Sequence, residues 1–294
     1  MDQRQHEFGG PWTEEKLDRI TKYYQAYTTA LKNQPFRRMY VDAFAGTGYR
    51  ASKRPGETVR GFFPLPQMTE LAKGSARRAL EVEPPFNEYV FIEANEGRFR
   101  ELRKLEDEFP ARRDRMVFRN EEANAAIVDI CRGTDWHSTR AVMFLDPYGM
   151  QINWTTIEEI ARARHIDLWY LFPVGAMQRL LQREGKISPK WEAALDRFLG
   201  DDASWRTEFY RATEEHTLFE SVVSKRKVAD VGVIEVFVRK RLAQIFRGGV
   251  AKNALRLRNS KGSCMFLLFF ACGNPTLKAH RLALRIAQHI LAAR

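Results

Sequence analysis

Residues 144–149 read Phe-Leu-Asp-Pro-Tyr-Gly and follow the apolar run Ala141-Val142-Met143. The carboxylate of Asp146 and the carbonyl of Pro147 can together accept both N–H hydrogens of a planar amine. The ring of Tyr148 can stack on the base that carries that amine. Held in this way, the amine nitrogen points its lone pair at an electrophilic methyl group, a transfer that depends on in-line placement more than on a strong base. The same residues also suit a plain strand exit, in which proline ends the ladder.

A second group lies upstream, in Asp42-Ala43-Phe44-Ala45-Gly46-Thr47-Gly48. Two glycines one residue apart let the backbone turn tightly and approach a ligand with no Cβ in the way. No third glycine completes GxGxxG, and no GKS or GKT follows, which argues against a nicotinamide fingerprint and a P-loop. A short glycine loop behind an acid suits a cofactor with a charged amino-acid end, whose ammonium group Asp42 accepts from directly or through water. A ligand-free tight turn is the alternative. Glu93, followed by Ala94, ends the apolar run Tyr89-Val90-Phe91-Ile92 and can accept two hydrogen bonds from a ribose diol. Dinucleotide folds place such an acid about twenty residues after the glycines. Here the separation from Gly48 is 45, so an insertion over 49–73 is expected. Glu122 and Asn124, after Met116-Val117-Phe118, can meet an adenine edge, although Asn124 also suits a helix N-cap.

Each of these groups follows a short apolar run and precedes a helical pattern. Runs end at Phe44, Ile92, Phe118, Leu145 and Phe172. That alternation predicts an α/β fold with a Rossmann-like, doubly wound and mostly parallel sheet of about seven strands. Its ligand belongs at the carboxyl ends of the strands. In front stands a helix whose apolar stripe is Leu17, Ile20, Tyr24, Tyr27 and Leu31, with Thr13 as its N-cap. A charged helix is expected from Glu96 to Glu108, and a helical insertion over 186–228. A hairpin turning at Asn259-Ser260-Lys261-Gly262 closes the sheet before a terminal helix. The expected divisions are a helical segment over 1–36, a core over 37–185, the insertion over 186–228 and a basic part over 229–294 that completes the sheet.

Taken in order, PWTEEKL…YYQAY, VDAFAGTG, KGSARRALE, FIEANEGRFRELR, FLDPYGMQINWTTIEEI and CMFLLFFACGNP resemble the three-Cys-motif partner proteins (TcmP), over most of the chain. That family is similar to class I S-adenosylmethionine-dependent methyltransferases and is named for a neighbouring gene product that carries three cysteines. The resemblance implies S-adenosylmethionine as cofactor and a three-cysteine protein as partner. It assigns Asp42, Phe44, Ala45, Gly46 and Gly48 to the methionine end, and Glu93 with Ala94 to the ribose. Glu122 and Asn124 fall near adenine, and Asp146, Pro147 and Tyr148 in the acceptor loop. Amino-methyltransferases of nucleobases carry Pro-Pro and then an aromatic after the acid; this chain has one proline, and Gly149 follows Tyr148.

The net charge of +11 is unevenly placed. No Asp or Glu follows Glu235, while twelve Lys or Arg do, from Arg239 to Arg294, which leaves the preceding residues at −1. A one-signed block attracts polyanions. Nucleic acid, DNA first, is therefore the expected partner of the basic C-terminal part, and also of loop 49–73, where Arg50, Lys53, Arg54 and Arg60 mix with Phe62 and Phe63. A merely solvated basic surface is the alternative. No stretch of eighteen apolar residues occurs and the N-terminus is polar, so a cytoplasmic protein without membrane contact is expected. Cys131, Cys264 and Cys272 have no CxxC spacing, and the histidines do not cluster, so no metal site is expected. No GxSxG occurs to support a serine hydrolase. A methyltransferase-like module that binds nucleic acid without methylating it is the competing expectation.

Overall fold

A computed structural model describes residues 11–47, 74–200, 204–216 and 221–293. Parallel strands need crossovers, and this chain supplies a helix for nearly every one. Strands β1 (Arg37–Asp42), β2 (Glu88–Ile92), β3 (Met116–Arg119), β4 (Thr139–Leu145), β5 (Ile166–Phe172), β8 (Leu255–Arg258) and β9 (Cys264–Cys272) form one seven-stranded sheet. Its order is β3-β2-β1-β4-β5-β9-β8. The first five strands run parallel, and β9 inserts antiparallel between β5 and β8. The strand order reverses between β1 and β4, which pair from Arg37↔Thr139 to Asp42↔Phe144.

Each strand alternates its side chains between two apolar layers, because successive residues point to opposite faces. On one face Val41, Met143, Leu145 and Leu168 meet α5 (Ala123–Gly133), α6 (Trp154–Arg162), α7 (Val174–Leu180), α8 (Pro189–Leu199), α9 (Ser204–Phe209) and α10 (Val231–Ile245). On the other, Tyr40, Val142, Phe144 and Trp169 meet α1 (Pro11–Leu31), α2 (Ser75–Leu80) and α11 (Leu277–Ala292). The stripe of α1 is aromatic: Tyr23 packs edge-on against Trp169 at 5.2 Å between ring centroids, and Tyr24 against Tyr40 at 5.0 Å. The buried polar tip of Tyr23 finds a partner, Oη donating to Asp167 Oδ2 at 2.6 Å. Lys16 reaches the carboxyl end of β4 and Tyr23 the start of β5, so α1 runs across the sheet from one end of the strands to the other.

Four local expectations are corrected. Helix α1 begins at Pro11, two residues before the expected cap at Thr13. The helix expected over 96–108 breaks into α3 (Glu96–Leu102) and α4 (Leu105–Glu108), which lets both Leu102 and Leu105 turn into the core. The 186–228 insertion is only partly helical: after α8 and α9, strands β6 (Tyr210–His216) and β7 (Ser221–Lys227) pair antiparallel as a separate two-stranded ribbon. Asn124 does not cap α5; Glu122 is the N-cap, its side chain accepting from Ala125 N. The expected closing hairpin is present. Asn259 Oδ1 accepts from the amides of Lys261 and Ser263, and Gly262 takes a left-handed φ of 77°. The three cysteines are buried and free.

Candidate functional site

Open α/β sheets place a crevice where the strand order reverses. The loop after β1 and the loop after β4 meet there. Ala43 N donates to Phe144 O at 3.3 Å, and Ala45 N to Ile92 O at 3.0 Å, which ties the first loop to both neighbouring strands. Gly46 has φ 62°, a left-handed conformation that a Cβ disfavours, and so lets the chain turn back over the sheet end.

Asp42 ends β1 fully buried. Its Oδ1 accepts from Phe44 N at 3.2 Å, and its Oδ2 from Ser75 Oγ at 2.6 Å and Tyr40 Oη at 3.3 Å. Burial pushes its carboxyl up to about 7. Both oxygens are engaged, so Asp42 fixes the glycine loop and the start of α2 before it meets any ligand.

Asp146 follows β4 and pairs with Lys16, whose Nζ lies 2.7 Å from Oδ2; the two side chains are 5% and 0% exposed. The Lys16 ammonium also sits 5.3 Å above the Phe144 ring. Burial draws the Lys16 pKa down, and the charges of Asp146 and Asp42 work against that. Oδ1 of Asp146 and the carbonyl of Pro147 accept no hydrogen bond among the described residues, so the two acceptors that a planar amine needs remain open. Pro147 is itself buried.

Glu93, 3% exposed, closes β2. Its Oε1 accepts from Asn95 N and from Arg98 Nη2, each at 2.8 Å. Arg98 also lies over the ring of Tyr148, 5.2 Å from guanidinium carbon to centroid. That ring meets Phe44 edge-on at 6.4 Å, and its hydroxyl is buried with no hydrogen-bond partner among the described residues. Burial pushes the phenol of Tyr148 well above its ordinary value.

The sequence-predicted residues therefore converge unequally. Asp42, Phe44, Glu93, Asp146, Pro147 and Tyr148 gather at the switch point; Ala45 is buried beneath the loop, and Ala94 is exposed beside Glu93. Gly48 and loop 49–73 lie outside the described residues. Asn124 is occupied elsewhere. It donates to Gln151 O at 2.9 Å and accepts from Asn153 N at 2.9 Å and Thr156 Oγ1 at 2.8 Å, with Glu122 Oε1 beside its amide at 2.7 Å. It stitches the loop after β3 to the loop after β4, while Gln151 Oε1 accepts from Tyr148 N at 3.1 Å. Lys16, Ser75 and Arg98 were missed by reading the sequence. Their roles depend on side chains crossing from α1, α2 and α3, and only the place of Ser75 at a helix start gave any signal.

No protein-family model matches this chain, and no curated protein matches it. Solved structures align with it at low identity. A Legionella pneumophila protein of the DUF519 family aligns over 97% of this chain and 94% of its own, at 12% identity and a TM-score of 0.47. A putative S-adenosylmethionine-dependent methyltransferase from Listeria monocytogenes aligns over 87% and 98%, at 10% identity and a TM-score of 0.36. The magnesium protoporphyrin IX methyltransferase of Synechocystis, solved with its cofactor bound, aligns over 73% and 80%, at 11% identity and a TM-score of 0.30. At the point where the sheet reverses stand three buried carboxylates, a buried hydroxyl with no hydrogen-bond partner among the described residues, and a glycine turn.

Proposed function

We propose that this chain binds S-adenosylmethionine at the β1–β4 switch point and methylates an amino nitrogen of a nucleic acid, DNA first, together with a three-cysteine-motif protein. The observation that carries this reading is the convergence of Asp146, Pro147 and Tyr148 with Asp42 and Glu93 at one end of the sheet, the Tyr148 hydroxyl buried with no hydrogen-bond partner among the described residues. The residues fit such a cofactor: its ribose diol suits the carboxylate of Glu93, and its positive charges suit an acidic pocket. When bound, it supplies an electrophilic methyl group on positively charged sulfur.

The chain's own residues would do the rest. Lys16 holds Asp146 Oδ2 and so aims Oδ1; that oxygen and the Pro147 carbonyl accept the two N–H groups of the acceptor. For Glu93 to take a diol on Oε1, and for Tyr148 to offer a free ring face, Arg98 must swing away from both. The basic C-terminal part supports the choice of a polyanion, and neither Arg256 nor Arg258 is idle. Arg256 pairs with Glu235 at 2.7 Å, and Arg258 donates to Gly262 O at 2.7 Å. No described helix is long and apolar enough to cross a membrane.

Calorimetric titration with S-adenosylmethionine and S-adenosylhomocysteine tests the cofactor site: binding is expected, and Glu93→Ala is expected to weaken it by about 1–3 kcal/mol. A labelled-methyl screen over DNA, RNA and protein, with Asp146→Ala as control, tests turnover. A specific observation favours the second reading, a non-catalytic adaptor for the partner: the acceptor loop is already engaged by Lys16 and Arg98. Cofactor binding without methyl transfer to any of the three would select it. Absence of cofactor binding sinks the methyltransferase reading and leaves the adaptor in the lead.

A further inference from the structure

At the opposite end of the sheet, α1 and α11 leave a cavity of about 330 Å³ between them. That volume lies at the small end of the range for small-molecule sites. Its walls are apolar, with Tyr27 and Leu31 from α1, Phe36 from the turn that follows, and Leu282, Ala283 and Ile286 from α11. Leu282 is an exposed large hydrophobic residue on the rim.

The charges around this cavity are asymmetric. Arg140 and Lys278 line it, and neither has a carboxylate partner among the described residues. Arg140 is half-buried. It spends Nη1 on the carbonyls of Trp136 and Thr139, at 2.8 and 2.7 Å, and lies 3.8 Å over the Phe36 ring. Its Nε and Nη2 make no hydrogen bond among the described residues, and burial lowers its pKa. A guanidinium presents a fixed fork that suits a carboxylate. The single acid lining the cavity, Asp167, is turned to internal donors: Tyr23 Oη at 2.6 Å and the Cys272 thiol. Arg140 and Asp167 stand on the same face of neighbouring strands, since Val142 pairs with Asp167 and Arg140 lies two residues before Val142. They form no ion pair with each other, so the guanidinium fork stays open to a ligand.

We propose that this cavity binds a small carboxylate with an apolar body, its acid head on Arg140 and its hydrocarbon between α1 and α11. The site stands apart from the switch point, at the amino ends of β4 and β5, and so is independent of the proposed methyl transfer.

Octanoate, 1-octylamine and 1-octanol are the probes, titrated calorimetrically into the full chain. Octanoate is expected to bind at one equivalent with a sub-millimolar Kd, at least about tenfold tighter than the alcohol and the amine, as loss of a charge-assisted hydrogen bond implies. Arg140→Gln should remove most of that preference. Ala30→Trp, at an exposed position on the lip that a bulky ring can occupy without disturbing the core, should block octanoate and leave S-adenosylmethionine titrations unchanged. Octylamine binding as tightly as octanoate, octanoate taken up in many equivalents, unchanged affinity in Ala30→Trp, or no octanoate binding would each overturn the proposal.

Discussion

Removing the ammonium of Lys16 would leave Asp146 in the interior without its counter-charge. Such a loss costs about 3–5 kcal/mol, whereas replacing both partners by apolar groups is often neutral. Lys16→Met is therefore expected to lower the urea midpoint sharply, and Lys16→Met combined with Asp146→Leu to recover most of the loss. A single-variant cost below about 1 kcal/mol would mean that water reaches the pair and that Lys16 does not aim the acid. Asp42 makes a second prediction. Its folded pKa of about 7 lies above the ordinary 3.8, so the folded state holds its proton more tightly, and stability should fall as pH rises from about 4 to about 7. Asp167, raised to about 6 by burial, adds a slope of the same sign below that value. Asp42→Asn should flatten the slope by up to roughly 4 kcal/mol across the window, read from urea midpoints at matched pH. Residue types and spacing were enough to place Asp42, Glu93, Asp146 and Tyr148 together at the carboxyl end of the sheet, because each lies at or just after the end of an apolar run that forms a parallel strand. Lys16 was not legible: 130 residues separate it from Asp146, and on α1 it reads as one more solvated cation.

Elements bring these residues together, and the loops after β3 and β4 are joined by a single side chain. Asn124 satisfies Gln151 O, Asn153 N and Thr156 Oγ1 at once. Asn124→Ala is expected to cost about 1–3 kcal/mol, because the half-buried Asn153 amide and the buried Thr156 hydroxyl lose their bonds. The cost should come with weaker cofactor binding, since Gln151 also carries the amide of Tyr148. Unchanged affinity in a destabilised variant would confine Asn124 to a structural role. Gly46 is tested in the same way. At φ 62°, Gly46→Val forces a β-branched residue into the left-handed region, at a cost of about 1–2 kcal/mol, and should reduce stability and cofactor affinity together. The core strands were legible because buried parallel strands are short apolar runs that little else imitates. The β6–β7 ribbon was not. Tyr210–His216 and Ser221–Lys227 are polar and charged, and periodicity gives no strand signal where neither face is apolar. The break between α3 and α4 was hidden for the opposite reason: Phe99, Leu102 and Leu105 keep a helical spacing across it, and the turn at Arg103 keeps its hydrogen bonds, Arg103 N to Phe99 O at 3.1 Å and Lys104 N to Glu101 O at 3.1 Å.

Over the whole molecule, charge is the property that folding redistributes most. The twelve C-terminal cations form one block in sequence, but the fold parts them: Arg239, Lys240 and Arg241 lie on α10, Arg256 and Arg258 on the β8 edge strand, and Lys278, Arg281 and Arg285 on α11. On β8, Leu257 enters the core beside α1, so Arg256 and Arg258 face the other way, towards α10. They stand exposed at the edge of the sheet, where unpaired backbone groups would otherwise invite another strand. Arg256 is paired with Glu235, so a polyanion must compete with that acid for it, whereas Arg258 donates to the Gly262 carbonyl and has no carboxylate partner among the described residues. If this edge carries the nucleic-acid contact, each phosphate neutralised adds about 0.9 to the slope of log affinity against log salt on duplex DNA. Arg258→Glu alone should then reduce the slope by about 1, and Arg256→Glu by less, because its cation is already shared. Arg281→Glu on α11, which lies on the opposite layer, should leave the slope unchanged. Equal effects at all three positions would show that the basic block acts as a diffuse cloud of charge and that β8 is no contact edge.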